Sequence, residues 1–295
     1  MILVTGATGT NGIELIKQLS AMGAPVKGMV RKRPASRSDS PPGVEFVTAD
    51  FDDSESIRRA LDAIESAFLV TNSTERAEAQ QLGFVEAARR AGLRHIVYLS
   101  QLHAARNSPV RFLRYHAVVE DAIGSSGMEF TNLRPNLFMQ GLLGFRNSII
   151  SEGRFFAPAA DARVSIVDVR DIAAVAAAAL TEPGHQGKTY DITGPEALTH
   201  AEMASQLSSA LVRQINFTDV PESAMRDALL GFGVPAWQTD GLIEDYAHYR
   251  RGEASSISSA VTDVTGHPPR SFAEFAKDYK GRFHSDQIFR RPTGF

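Results

Sequence analysis

The chain has 295 residues, 43% hydrophobic and 22% charged, which is ample material for a core and excludes wholesale disorder. Its 31 Lys and Arg against 34 Asp and Glu leave a net charge of −3, so the overall balance gives no reason to expect nucleic acid or an anionic membrane as partner. Cysteine is absent, which removes disulfides, thiolate metal sites, redox dithiols and a thiol nucleophile together.

Strands and helices alternate from the start. Residues 2–5 read as a short buried strand, and Ile13, Leu15, Ile16 and Leu19 give 12–22 the spacing of an amphipathic helix. Strands follow at 26–30 and 44–47, then a helix over 54–64 with Asp53 or Ser54 as its N-cap. A strand at 67–71 and a long helix at 75–91, closed by Gly92, lead to a strand at 95–100. A helix over 110–125 ends before Gly127, and a sixth strand over 129–134 stops at Pro135. Nearly continuous apolar strands separated by helices predict a parallel sheet covered on both faces, the doubly wound α/β (Rossmann) architecture.

Beyond Pro135 the pattern reads as a helix at 137–150, a strand at 164–167, a helix at 169–181 and a strand at 188–193. From Thr199 it is mostly helical, broken at Gly231, Gly233 and Pro235. The expected organisation is a nucleotide-binding core over 1–135, to which 163–193 returns. A smaller, mainly helical C-terminal lobe over 136–162 and 194–283 would shape the substrate side, and 284–295 would be a tail. The longest apolar stretch, 172–180, is too short to span a bilayer. Met1 runs directly into Ile-Leu-Val without a basic leader or cleavage site, so the expected compartment is the cytoplasm.

Between the first strand and first helix lies Gly6-Ala7-Thr8-Gly9-Thr10-Asn11-Gly12. Glycines at this spacing permit a tight turn and close backbone approach, and the helix start offers free N–H groups to a pyrophosphate. Arg31, followed by Lys32, Arg33 and Arg37, stands where an NAD site usually carries an acidic residue for the ribose. A guanidinium there can grip a 2′-phosphate through bonds of about 1.5–3 kcal/mol each, a preference of roughly 10- to 100-fold. NADP(H) is therefore the expected cofactor. Asp50 and Phe51 after the third strand are placed for the adenine, and Thr71, Asn72 and Ser73 after the fourth for the ribose side. Helix capping is the alternative for Asp50 and Asp53.

The Tyr-x-x-x-Lys pair of short-chain dehydrogenases is missing. Four residues after Tyr98, Tyr115, Tyr190, Tyr246, Tyr249 and Tyr279 stand Leu102, Val119, Gly194, Arg250, Glu253 and Phe283. Alcohol oxidation by that route is disfavoured.

Several motifs remain: Val4-Thr-Gly-Ala-Thr-Gly9, Val30-Arg31, Ala49-Asp50-Phe51, Ser100-Gln-Leu-His103 and His116-x-x-x-Glu120. Further on come Ser126-Gly127-x-x-Phe130-Thr131-x-Leu133-Arg134, Val169-Arg-Asp171-Ile-Ala and Gly184-His-Gln-Gly187-Lys-x-Tyr190. Through these, nearly the whole chain resembles the NmrA-like branch of atypical short-chain dehydrogenases, most of all its NADPH-dependent quinone oxidoreductases and triphenylmethane reductases. The resemblance implies that His116 lies by the nicotinamide and that Pro135, Asn136, Leu137 and Phe138 close over that end of the cofactor. Asn136 and Phe138 stand where relatives vary, and the C-terminal lobe matches least.

The implied reaction is hydride transfer to a quinone or similar planar electrophile, for which positioning suffices without a Tyr–Lys acid. His116 and Ser100 are the catalytic candidates: His116 to orient the carboxamide or assist protonation, Ser100 to hydrogen-bond the reduced oxygen. Both residues also fit a structural role. Phe138, Phe145, Phe155, Phe156 and Trp237 are candidates for lining a flat pocket, with core packing as the alternative. Tyr115 is expected to pack on another helix face than His116, and Asp171 to cap or brace its helix. No metal is expected, and the assembly would be a monomer or homodimer. The family also contains non-enzymatic NADP(H) sensors that act through a protein partner, which is the alternative reading.

Overall fold

A computed structural model describes residues 1–32 and 41–284; Arg33, Arg37 and the expected tail after His284 lie outside the described residues. The N-terminal half alternates β1 (Ile2–Val4), α1 (Thr10–Ala21), β2 (Val26–Val30), β3 (Val44–Thr48), α2 (Ser54–Ala60) and β4 (Ser66–Leu69). It continues with α3 (Ala77–Arg90), β5 (His95–Leu99), α4 (Arg111–Gly124) and β6 (Glu129–Pro135). After α5 (Arg146–Glu152) and β7 (Arg154–Ala157), the chain returns to the sheet through α6 (Val169–Thr181) and β8 (Lys188–Ile192). The seven-stranded sheet has the order β3-β2-β1-β4-β5-β6-β8, and every pairing in it is parallel.

Side-chain alternation sorts the two faces. Ile2 and Val4 point into one core with Leu15, Ile16 and Leu19 of α1 and the Val169, Ile172, Ala173 and Ala176 face of α6. Leu3 points the other way, into Ile57 and Ala60 of α2, Phe84 and Ala88 of α3, and Val119 and Ile123 of α4. The alanines of α6 let it lie close against α1, where Gln18 Nε2 also donates to the Arg170 carbonyl at 2.9 Å. Both faces of the sheet are thus covered, as a doubly wound fold requires.

The rest of the chain comprises α7 (His200–Leu211), β9 (Asn216–Asp219), α8 (Glu222–Gly231), α9 (Ala236–Arg250), α10 (Ala260–Thr265) and α11 (Phe272–Asp278). Several expectations are corrected here. The helix read over 137–150 is a 3-10 segment, Met139–Phe145, followed by the short α5; Gly141 and Gly144 lower its α-helical propensity. The strand read over 164–167 is only a pair of bridges, Val164 to Leu198 and Val167 to Phe138. Conversely, β7 pairs in parallel with β9, a strand absent from the sequence reading. The helix at 54–64 stops at Ala60, with Asp53 accepting from Glu55 N and Ser56 N as its cap. Asp168, not Asp171, caps α6; Asp171 instead accepts the backbone N–H of Arg270 at 2.7 Å, a brace toward α11.

Candidate active site

Parallel strands deliver their C-terminal ends to one edge of the sheet, and the loop after β1 forms the first part of the site there. Thr5 Oγ1 donates to the Val70 carbonyl and accepts from Val70 N at 2.9 and 2.8 Å, tying this loop to the end of β4. Gly6 has φ +57°, a region costly for a residue with a side chain. A Cβ on Gly12 would lie 2.2 Å from the Gly6 carbonyl oxygen, so the turn closes only with glycine. No side chain caps α1 and its first turn carries no acid, which leaves its leading N–H groups and positive dipole end free. Thr8, Gly9 and Thr10 are exposed, and Asn11 Oδ1 is buried without a partner. A cradle of glycine, free N–H groups and one orphaned amide oxygen suits the pyrophosphate and ribose of a dinucleotide.

Around it, Arg31 and Lys32 are exposed at the end of β2. Asp50 is exposed and its Oδ1 accepts Asp52 N at 3.0 Å, shaping the turn after β3, while half-buried Phe51 packs its ring against Phe84 at 5.9 Å. After β4, Asn72 is exposed and Ser73 Oγ lies 3.3 Å from the Tyr115 hydroxyl.

Thr71 begins a buried polar chain. Gln81 Nε2 donates to Thr71 Oγ1 at 2.6 Å, and the Tyr98 hydroxyl donates to Gln81 Oε1 at 2.7 Å. Tyr98 has spent its only proton, so in the 2.6 Å contact with His116 it is Nδ1–H that donates to the Tyr98 oxygen. His116 Nε2 is then a bare acceptor with no partner among the described residues. Burial holds the ring neutral by pushing its pKa down to about 3. Ser100, at the end of β5, is 4% exposed, and its Oγ is sealed without a partner.

The other wall comes from α9. Arg111 at the start of α4 donates its backbone N–H to Glu244 at 2.7 Å, and its guanidinium meets the same carboxylate at 2.7 Å while lying over Trp237. Trp237 packs on Phe112 and Tyr115, and the Tyr115 ring in turn touches His116, 4.1 Å between centroids. Next to Glu244, Asp245 is 6% exposed and accepts from Gln101 Nε2 at 3.0 Å. Burial pushes its pKa up to about 7, with the charge of Glu244 adding and the Gln101 bond opposing.

Residues 1–275 match the model of the NmrA-like family.

The chain belongs to the NmrA-like family.

It is 35% identical over 283 residues to an NAD(P)H azoreductase of Xenophilus azovorans, spanning 96% of this chain and 99% of that one. It is 36% identical over 284 residues to a (4-alkanoyl-5-oxo-2,5-dihydrofuran-3-yl)methyl phosphate reductase of Streptomyces griseus, with 96% and 99% covered. Among solved structures, an NADPH-dependent quinone oxidoreductase from Escherichia coli complexed with NADPH superposes with a TM-score of 0.84 at 27% identity, over 94% of this chain and 99% of that one.

Within this NmrA-like chain the expected site residues separate into two groups. The loop 6–12, Arg31, Asp50, Thr71, Asn72, Ser73 and Ser100 follow the C-terminal strand ends, and His116 of α4 joins them through Tyr98 of β5. Asn136 has its side chain committed elsewhere: Nδ2 donates to Ser165 Oγ and the Ala254 carbonyl, both at 2.8 Å, and Oδ1 accepts Leu137 N. Phe138 packs on the main core, and Phe145, Phe155 and Phe156 pack on one another, so of the five aromatics only Trp237 adjoins the Tyr115–His116 pair. Tyr115 does share a surface with His116, contrary to the helix-face argument, because adjacent rings can lean together at the end of their side chains. Gln81, Tyr98, Gln101 and Asp245 were not singled out from sequence; Gln101 lies inside the Ser100–His103 motif and was the available signal.

Proposed function

We propose that the chain is an NADPH-dependent reductase that passes hydride to a planar electrophilic acceptor of the quinone or azo class. The observation that carries this reading is one edge of a parallel sheet that holds a glycine cradle after β1 and an unpaired serine after β5, with a neutral imidazole on α4 bonded to Tyr98 of β5 and its Nε2 left unpaired. The names of the azoreductase and quinone oxidoreductase relatives support it.

The residues divide the work. The loop 6–12 and the N–H groups of α1 hold the pyrophosphate, Arg31 takes the 2′-phosphate, and Asp50 and Phe51 border the adenine. Thr71, Asn72 and Ser73 meet the ribose side. NADPH, when bound, supplies the hydride. His116 Nε2, left unpaired, would accept an N–H of the carboxamide and so help to hold the nicotinamide. Ser100, whose buried hydroxyl is unpaired, is the donor assigned to the oxygen being reduced. Pro135 and Phe138 border the nicotinamide end as apolar surface, whereas Asn136 acts by holding the 136–138 segment to Ser165 and Ala254. His116 is not the acid, since its one proton points inward to Tyr98.

Steady-state oxidation of NADPH against a panel of quinones and azo dyes tests the proposal, with saturable turnover expected. Tight NADPH binding without turnover on any of them would favour a redox sensor instead. Arg31→Ala should lower the NADPH-to-NADH affinity ratio by about 10- to 100-fold; an unchanged ratio overturns the assignment of Arg31.

A further inference from the structure

With His116 neutral and Ser100 only a hydrogen-bond donor, the reduced acceptor still needs a proton. Tyr115 cannot supply it readily, because burial pushes its hydroxyl further above the ordinary range. Asp245 meets the requirement. Its Oδ1 is fixed by Gln101, the residue after Ser100, and no cation is bonded to it among the described residues. Its Oδ2 has no partner among the described residues and is not one of the fully sealed orphan atoms, so it keeps a little accessible surface. On its own helix stand Glu244, Tyr246, Tyr249 and His248; Glu244 is neutralised by Arg111 of α4, and His248 pairs with Glu253 and touches His103. Tyr115 of α4 lies near enough to feel its charge.

We propose that Asp245 is the proton donor of this site, delivering its proton from Oδ2 to the acceptor as hydride arrives. The proposal rests on the reductase reading above. In the step, the hydride that NADPH would supply forms one O–H or N–H bond with its own electron pair, and the Asp245 O–H bond breaks as a second forms on the other quinone oxygen or azo nitrogen. The sum is quinone, NADPH and one proton giving hydroquinone and NADP⁺; the Asp245 carboxylate regains its proton from water. The neutral carboxyl persists near neutral pH because burial raises its pKa to about 7.

The test uses two acceptors that differ in proton demand: para-benzoquinone, whose product needs a proton, and a cationic triarylmethane dye, which becomes neutral on accepting hydride alone. In the wild-type chain, quinone kcat should fall about tenfold per pH unit above pH ~7, while dye kcat should not. In Asp245→Asn the quinone-to-dye ratio of kcat should drop by about 10²-fold or more, and the limb near pH 7 should vanish. Because the dye rate is measured on the same preparation, loss of folded protein cancels from that ratio. If the variant does not fold, the wild-type pH profiles and a solvent deuterium effect confined to the quinone decide the matter. An unchanged ratio, or matching profiles for both acceptors, overturns Asp245 as donor while leaving the reductase reading intact. Absence of turnover with either acceptor in the wild type removes both.

Discussion

His116 shows one bare nitrogen because Tyr98 and Gln81 occupy the other through a chain that ends at Thr71. Tyr98→Phe deletes a hydroxyl that both Gln81 Oε1 and His116 Nδ1 use, leaving two buried polar groups unpaired. At about 1–3 kcal/mol for each orphaned group, urea unfolding should report a loss of roughly 2–4 kcal/mol. The KM for NADPH should rise as well, since nothing then fixes the ring; a variant as stable as wild type would show that the Gln81–Tyr98–His116 bonds do not contribute to stability. Legibility at this scale tracked sequence distance. The loop 6–12 is contiguous and its glycines state their own geometry. Asp245 reaches Gln101 across 144 positions, and in sequence it forms an acidic pair with Glu244 that looks like a solvated face. The buried side of α9 carries Thr239, Gly241, Asp245 and His248 beside two tyrosines, so no apolar stripe announces its orientation.

Elements that are buried on both faces declared themselves. The inner strands β1, β2, β4 and β5 are short, mainly apolar runs, and each was read within about two residues because the centre of a parallel sheet admits few polar positions. The pairing of β7 with β9 left no comparable trace, since four residues on each side suffice for it and the partner lies beyond α6, β8 and α7. The start of α1 is the element on which cofactor binding depends most. In Gly12→Ala the new methyl group would sit 2.2 Å from backbone at Gly6, which cannot swing aside as a side chain would. Fluorescence titration should show NADPH affinity reduced by at least about tenfold, from displaced N–H groups rather than lost charge. Retained affinity would place the pyrophosphate elsewhere.

Across the whole molecule, buried histidines set the response to acid. His116 and His200 are held neutral with pKa values near 3 and 4, below the ordinary 6.5. Each folded-state value is depressed, so their contribution is complete above pH ~6.5 and is lost as pH falls toward those values. Asp245 has the opposite sign: its raised value favours the fold at low pH, and that contribution fades as pH rises toward about 7. The two histidines outweigh one carboxyl, and urea midpoints should decline between pH 6.5 and pH 4. His200 sits among Phe155, Phe217 and Tyr246 with Nδ1 sealed and unpaired. His200→Phe should therefore stabilise the chain, more at pH 5 than at pH 7, and remove up to about 1.4 kcal/mol per pH unit from the slope. Equal gains at both pH values would assign the effect to packing alone.

The order in which α6 enters the fold bears on how the protein is made. Six strands of the large sheet have left the ribosome before this helix exists, and until it arrives Val97 and Leu133 lack the cover that α6 gives their side of the sheet. A growing chain of this kind presents bare apolar sheet during that interval, and a fragment ending at Ala160 should aggregate where the full chain does not.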